Sequence, residues 1–73
     1  MSNINEHLGQ MVSTIRKAKG WTQKELGEQS GLSRVTIGQI ERGNAEPSIS
    51  NLNKIAAALD CSLEIIMNPV NVE

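Results

Sequence analysis

The stretch "WTQKELGEQSGLSRVTIGQIERG", residues 21–43, contains the signals for two short helices joined by a tight turn. Thr22 is a favourable N-cap, and Glu25 three residues later completes a capping box, which predicts that a helix begins here. This helix should end just before Gly31, which suits the left-handed conformation that terminates a helix sharply. Ser33 can then cap a second helix almost immediately.

The second of these helices is predicted from Ser33 to about Arg42 and has two different sides. Thr36, Ile37 and Ile40 fall on one side of a helical wheel and are predicted to pack against the preceding helix. Such packing outweighs the modest helix-propensity deficit of β-branched residues. The other side is predicted to be available to a partner, and it carries Arg34, Val35, Gly38, Gln39 and Arg42.

Two amphipathic helices are predicted on either side of this pair. The first runs from about Asn5 to Lys19, with its apolar residues spaced as one helical stripe. The other begins after Ser48 and ends near Leu59. The four segments together predict an all-α domain.

The segment after the fourth helix, residues 60–73, admits two interpretations. Its apolar residues Leu63, Ile65 and Met67 occupy alternate positions, which favours a short C-terminal β-strand, whereas Ser62 could instead cap a short helix. We favour the strand. A lone strand has no partner within a helical domain, so it would pair with the same strand of a second copy. The three alternating residues are therefore predicted to mediate dimerisation.

The composition excludes several classes of function. A chain of 73 residues has material for one domain, residues 1–73, and its 38% apolar residues are mostly aliphatic. Cys61 and His7 each occur alone, so an intrachain disulfide, a thiolate metal cluster or a histidine-based catalytic site cannot be assembled. We therefore predict no enzyme activity, no cofactor and no metal. The sequence has neither a signal peptide nor a membrane span, which predicts a cytoplasmic protein.

The net charge of −1 conceals an asymmetry along the chain. Residues 1–42 contain six basic and four acidic residues, a balance of +2, whereas residues 43–73 contain one basic and four acidic residues, a balance of −3. This split is compatible with one basic functional face on an otherwise acidic molecule.

Two helices separated by a three-residue turn have the outline of a helix-turn-helix, and Gly27 is small enough to let them approach closely. The stretches "LGQMVSTIRKAKGWTQKELGEQSGLSRVTIGQIERG" and "PSISNLNKIAAALDCSLEII" resemble the Cro/λ-repressor-like, or xenobiotic-response-element type, helix-turn-helix proteins. The resemblance implies a compact λ-repressor-like bundle of about four to five helices, with the motif at residues 22–42. It also implies a dimer on a two-fold symmetric operator, with the second helix of the motif in the major groove.

Candidate DNA contacts lie on both helices of the motif and just after it. They are Gln23, Ser33, Arg34, Val35, Gly38, Gln39, Arg42 and Asn44. The resemblance implies that positions 33, 34, 35 and 39 face base edges or nearby phosphates, and that positions 42 and 44 meet the DNA backbone. Gln23 would contact a phosphate or support the second helix, and Gly38 would either let that helix approach the DNA closely or be neutral.

The chemistry of these side chains agrees with that assignment. Arg34 can present a bidentate fork to guanine O6 and N7, Gln39 can pair with adenine, and Val35 can pack on a thymine methyl group. The resemblance further implies that Arg16 and Glu41 form an internal ion pair, which would use part of the basic charge inside the fold.

Three functions follow, in order of preference. The first is a sequence-specific DNA-binding transcriptional regulator, a repressor that acts as a homodimer. The second is the antitoxin of a toxin–antitoxin pair, which would bind both DNA and a toxin protein. The third is a protein-interaction module that does not bind DNA, an alternative that the acidic second half of the chain keeps open.

Overall fold

The computed structural model describes residues 4–67, and these residues form five helices. In chain order the helices are α1 (Ile4–Ala18), α2 (Gln23–Ser30), α3 (Arg34–Glu41), α4 (Ile49–Leu59) and α5 (Leu63–Met67). Within this described part no residue belongs to a β-strand, so the all-α prediction is confirmed. None of the helices in residues 4–67 is long and apolar enough to cross a membrane.

Helix α2 begins and ends where its sequence signals predict. The Thr22 hydroxyl accepts a hydrogen bond from the Glu25 N–H at 3.0 Å, and the Glu25 carboxylate accepts one from the Thr22 N–H at 2.8 Å. This reciprocal pair is a complete capping box, which satisfies two backbone donors that have no partner inside the helix. At the other end Gly31 adopts φ 80°, the left-handed conformation that reverses the chain.

The turn that follows brings α3 against α2. The Ser33 hydroxyl caps α3 by accepting a hydrogen bond from the Thr36 N–H at 3.0 Å. Gly27 allows the close approach, because a Cβ atom at this position would lie 2.7 Å from the Leu32 carbonyl oxygen. The short turn and the small residue together set the arrangement of the two helices.

The apolar core draws on all five helices. Its buried residues are Leu8, Val12, Leu26, Ile37, Ile40, Leu52, Ile55, Ala56, Leu59 and Ile66. Trp21 and Leu32 pack against this core while remaining partly exposed. Because α3 contributes Ile37 and Ile40 to the centre of the cluster, its orientation is fixed by burial of aliphatic surface.

A close contact between α1 and the end of α3 also restricts the orientation of α3. A Cβ atom at Gly9 would overlap the carbonyl oxygens of Ile40 and Glu41, so α1 passes directly against the last turn of α3. No feature of the sequence considered alone identified Gly9, because its constraint comes from residues more than thirty positions away.

Helix α5 corrects the prediction for the end of the chain. The favoured strand is wrong: residues 63–67 are helical, and the Ser62 hydroxyl accepts a hydrogen bond from the Ile65 N–H at 3.3 Å. Helical spacing turns Ile66 into the core, where it is fully buried, and leaves Ile65 52% exposed. Burial of Ile66 against α1 and α4 therefore outweighs the alternating pattern.

The pairing of identical strands from two copies is wrong for the same reason. Leu63 packs against the core and Ile65 faces outward, so the two do not share one face as they would in a strand. Met67 ends α5, and its side chain lies outside the described part of the structure.

Candidate nucleic-acid interface

Helix α3 presents three exposed side chains of different chemistry opposite its buried side. Arg34, Val35 and Gln39 are exposed, whereas Ile37 and Ile40 are almost completely buried. Val35 is 56% exposed, although it is apolar. Among the described residues no hydrogen bond or ion pair engages the side chains of Arg34 and Gln39. The surface therefore combines a cationic fork, a branched apolar group and a carboxamide, all available to a partner.

The first turn of α3 is held by its own hydroxyl groups. The Ser33 hydroxyl, besides capping the helix, donates a hydrogen bond to the Thr36 hydroxyl at 2.9 Å. Thr36 is half-buried rather than part of the central core. Ser33 remains exposed at the N-terminus of the helix, beside the exposed Arg34 and Val35.

A buried ion pair joins α1 to the end of α3. The Arg16 guanidinium donates to the Glu41 carboxylate through Nε at 2.6 Å and through Nη2 at 3.0 Å, and its Nη1 donates to the Trp21 carbonyl at 2.7 Å. The hydrogen bond to Glu41 raises the pKa of Arg16 above its ordinary value, while burial acts in the opposite direction. Only 10% of the Arg16 side chain and 6% of the Glu41 side chain are exposed, so this basic residue serves the fold.

Gln23 extends this pair into a network of three side chains. Its Nε2 donates to the Glu41 carboxylate at 3.0 Å, which connects the first turn of α2 to the last turn of α3. Gln23 thus contacts α3 directly, as one of its two sequence interpretations proposed. Its contact with a DNA phosphate, the other interpretation, stays a prediction.

Gly38 is buried rather than open on the outer side of α3. A Cβ atom at this position would lie 3.3 Å from Nη1 of Arg42 and 3.4 Å from Oε1 of Gln23. A side chain at this position would therefore make close contacts with two neighbouring polar side chains.

The residues that follow α3 remain at the surface. Arg42 is the C-cap of the helix and is exposed overall, as is Asn44. The Asn44 backbone N–H donates to the Gln39 carbonyl at 3.0 Å, which holds this segment against the last turn. Arg42 and Asn44 thus lie together at the C-terminal end of α3, away from Arg34 at its N-terminal end.

Comparison with known proteins assigns this geometry to a family. The family profile described as helix-turn-helix matches residues 12–66, three quarters of the chain. This chain belongs to the Cro/λ-repressor-type helix-turn-helix family. The matched residues include all of α2, the turn and α3.

Several curated members of this helix-turn-helix family are similar in sequence. An HTH-type transcriptional regulator of Sinorhizobium fredii, y4dL, is 42% identical over 69 residues, which cover 94% of this chain and 34% of that protein. The HTH-type transcriptional regulator SinR of Bacillus subtilis is 36% identical over 62 residues, covering 84% of this chain and 56% of SinR. The chain thus spans between a third and just over half of the length of these relatives.

Solved structures of helix-turn-helix proteins have the same fold. The restriction-modification controller protein C.AhdI of Aeromonas hydrophila superposes with a TM-score of 0.83 and 37% identity, over 85% of this chain and 94% of that one. The P22 c2 repressor, solved in complex with a synthetic operator, superposes with a TM-score of 0.80 and 33% identity, over 86% of this chain and 96% of that one. The predicted λ-repressor-like fold is confirmed.

The family also bears on the prediction that this domain is not an enzyme. Its members are named as transcriptional regulators and repressors, a non-enzymatic class. The prediction is confirmed by this membership.

Proposed function

We propose that this domain binds double-stranded DNA in a sequence-specific manner and regulates transcription as a repressor. The observation that carries the proposal is the outer surface of α3, where Arg34, Val35 and Gln39 are exposed over a helix anchored by Ile37 and Ile40. An α-helix fits the major groove of B-DNA, whose base edges carry a distinct pattern for each base pair. The names of its relatives, and the operator complex of the P22 c2 repressor, support the same function.

Base recognition is assigned to the exposed side chains of α3. Arg34 in the first turn offers two parallel donors to guanine O6 and N7, and Gln39 offers a donor and an acceptor to adenine. Val35 lies between them in sequence and offers a methyl-bearing surface to thymine. Val35 is half-exposed in the free protein, so such a contact would remove apolar surface from water and stabilise the complex.

Backbone contacts are assigned to residues that surround this surface. Gln23 is the first residue of α2 and Ser33 is the N-cap of α3, so both lie at a helix N-terminus, where unsatisfied N–H groups favour an anion. Arg42 and Asn44 follow α3 and remain exposed. Contacts of this kind orient the protein on the duplex without reading its sequence.

The functional unit is proposed to be a homodimer on a two-fold symmetric operator, with its half-sites about one helical turn apart. A helix of only eight residues contacts few base pairs, so two copies are needed for an adequate site. The proposed contact between copies is α5, centred on its exposed Ile65. Leu63 packs against the core and would add only its exposed part, and Met67, the last residue of the helix, is proposed to extend the contact. The bacterial and phage sources of its relatives support a cytoplasmic location for this regulator.

The experiment that tests DNA recognition is selection of bound duplexes from a random pool, followed by titration of the selected duplex at several salt concentrations. We expect enrichment of a palindromic sequence. The logarithm of the binding constant should fall with the logarithm of salt concentration, at a slope of about −0.9 for each phosphate neutralised. Failure to enrich any sequence, or binding that does not respond to salt, would refute the proposal.

The same preparation distinguishes the two alternatives. An antitoxin would co-purify from its native host with a toxin protein while still selecting a DNA sequence. A protein-interaction module would select no DNA at all.

A further inference from the structure

The buried Gly38 on α3 lies beside two polar side chains. Where a β-carbon would lie, the guanidinium of Arg42 approaches with Nη1 at 3.3 Å and Cζ at 3.9 Å, and Oε1 of Gln23 approaches at 3.4 Å. The missing side chain therefore leaves a recess on α3 that two polar side chains from different helices share.

The direction of the Arg42 side chain follows from helix geometry. Side chains of a helix point toward its N-terminus, so residue 42 extends back over residue 38, one turn earlier. A cation near the C-terminus of a helix is also favoured by the helix dipole. Because Gly38 has no side chain, the guanidinium lies close against α3 at this position.

The orientation of the Gln23 carboxamide is fixed by the buried ion pair. Its Nε2 is occupied by the hydrogen bond to Glu41, which is itself held by Arg16. The opposite atom, Oε1, consequently faces the recess and the cationic group in it. The network therefore orders one acceptor beside one guanidinium.

We propose that Gly38 is a positioning residue for phosphate binding. Its recess holds Arg42 beside Gln23, and Arg42 is therefore already oriented when the DNA complex forms. This inference rests on the proposed DNA binding. Arg42 caps the last turn of α3 and lies beside Gln23 in the first turn of α2, so a phosphate there could accept from its guanidinium N–H groups. Orientation before binding strengthens the contact, because less side-chain freedom is lost when the complex forms.

Replacing Gly38 with alanine separates this role from folding. The added methyl group would be tight only against the ends of two flexible side chains, so the guanidinium can move away without a backbone change. Alanine is also the better helix former. The variant should therefore unfold at the same or a higher urea concentration than the wild type while binding its selected duplex less tightly.

The test is a double-mutant cycle of Gly38 and Arg42, made in the 73-residue chain and measured as affinity for the selected duplex. Arg42→Ala should weaken binding by about tenfold and reduce the magnitude of the salt slope by about 0.9, as expected for one lost phosphate contact. Gly38→Ala should weaken binding by about threefold in the wild type, a side-chain ordering effect, and have no effect when Arg42 is already alanine. A matched cycle of Gly38→Ala with Arg34→Ala should be additive, because the atoms nearest the added methyl group belong to Arg42 and Gln23 and not to Arg34.

Other results of these experiments would contradict either the role of Gly38 or DNA binding itself. Equal effects of Gly38→Ala in both Arg42 backgrounds would overturn the inference while leaving DNA binding intact. Full affinity of Arg42→Ala would overturn it too, and so would a Gly38→Ala variant that fails to fold, since the recess would then serve packing. A wild-type protein that binds no selected duplex would instead refute the proposed function on which the inference rests.

Discussion

At the scale of single residues, the charge of Arg16 is balanced inside the protein. Its guanidinium, Glu41 and Gln23 connect three helices through hydrogen bonds of 2.6–3.0 Å. Removal of one partner from such a pair leaves an uncompensated charge in a poorly hydrated position, which costs more than the intact pair contributes. The pair therefore constrains the position of α3, because any arrangement that separates the two charges is penalised.

Glu41→Gln is expected to lower the free energy of unfolding by about 3 kcal/mol, because Arg16 loses its counter-charge. Urea denaturation followed by circular dichroism measures this loss. The matched control is Glu28→Gln, which disrupts an exposed pair with Lys24 at 3.9 Å and should change stability by less than about 0.5 kcal/mol. Similar losses in the two variants would contradict a special role for the buried pair.

Arg34→Ala is expected to weaken binding to the selected duplex by about 1–3 kcal/mol and to relax the preference at one base position. The loss should depend on sequence, because a guanidinium that reads guanine contributes nothing at a different base pair. Binding to the selected duplex and to single-base variants of it measures both effects. If binding weakened equally on every duplex, Arg34 would be a phosphate contact instead.

The Cys61 thiol is expected to make the free energy of unfolding depend on pH, because its pKa differs between the folded and unfolded states. Burial raises the pKa of its thiol above the ordinary value of 9.0, with a further increase from Asp60 and an opposing effect of Lys19. Because the folded state holds the proton to higher pH than the unfolded state, this stabilisation is complete below the ordinary value. It is lost as the pH rises through the folded value.

The expected result is a steeper alkaline decline in unfolding free energy for the wild type than for Cys61→Ser. Serine does not titrate in this range, so the difference between the two curves isolates the thiol. Parallel curves would show that Cys61 ionises alike in both states.

At the scale of secondary-structure elements, the helix-turn-helix pair α2 and α3 contrasts with α5 in how far the local sequence determines the structure. Helices α2 and α3 begin at hydroxyl caps, Thr22 and Ser33, and α2 ends at a left-handed glycine. These interactions span three or four residues, so they could be predicted from the sequence. Helix α5 is only five residues long, and its helical state depends on burial of Ile66 between distant helices.

Ile66→Ala is expected to lower the free energy of unfolding by about 2–5 kcal/mol, since it leaves a cavity in a fully packed core. Ile65→Ala, on the adjacent exposed position, should change it by less than about 0.5 kcal/mol in dilute protein. Denaturation of the two variants distinguishes the helix from the alternating strand. A strand would give the opposite order, with Ile65 the more sensitive position.

At the scale of the whole molecule, one side of the domain is proposed to face DNA and another a second copy. Arg34, Val35 and Gln39 lie on α3, whereas the proposed dimer contact lies on α5, so the two surfaces come from separate helices. Since Ile66 of α5 is also part of the core, deletion of the helix would unfold the monomer along with any dimer. A substitution at the exposed Ile65 is consequently the sharper test.

Ile65→Glu is expected to shift the protein from dimer to monomer, because a carboxylate would be desolvated at the contact between copies. Light scattering over a range of concentrations measures the change. Ile49→Glu is the matched control, since Ile49 on α4 is exposed to a similar degree, 56% against 52%. Unchanged dimerisation in Ile65→Glu would remove α5 from the proposed interface.

Local sequence thus determined the helix-turn-helix itself: two caps, one turn glycine and the division of α3 into a buried and an exposed side. Each depends on residues within one or two helical turns, whose interactions do not need the rest of the fold. The tertiary structure alone decided the state of α5, the close approach at Gly9 and the recess at Gly38. In each of these, at least one deciding neighbour is distant in sequence and meets the residue only when the helices pack.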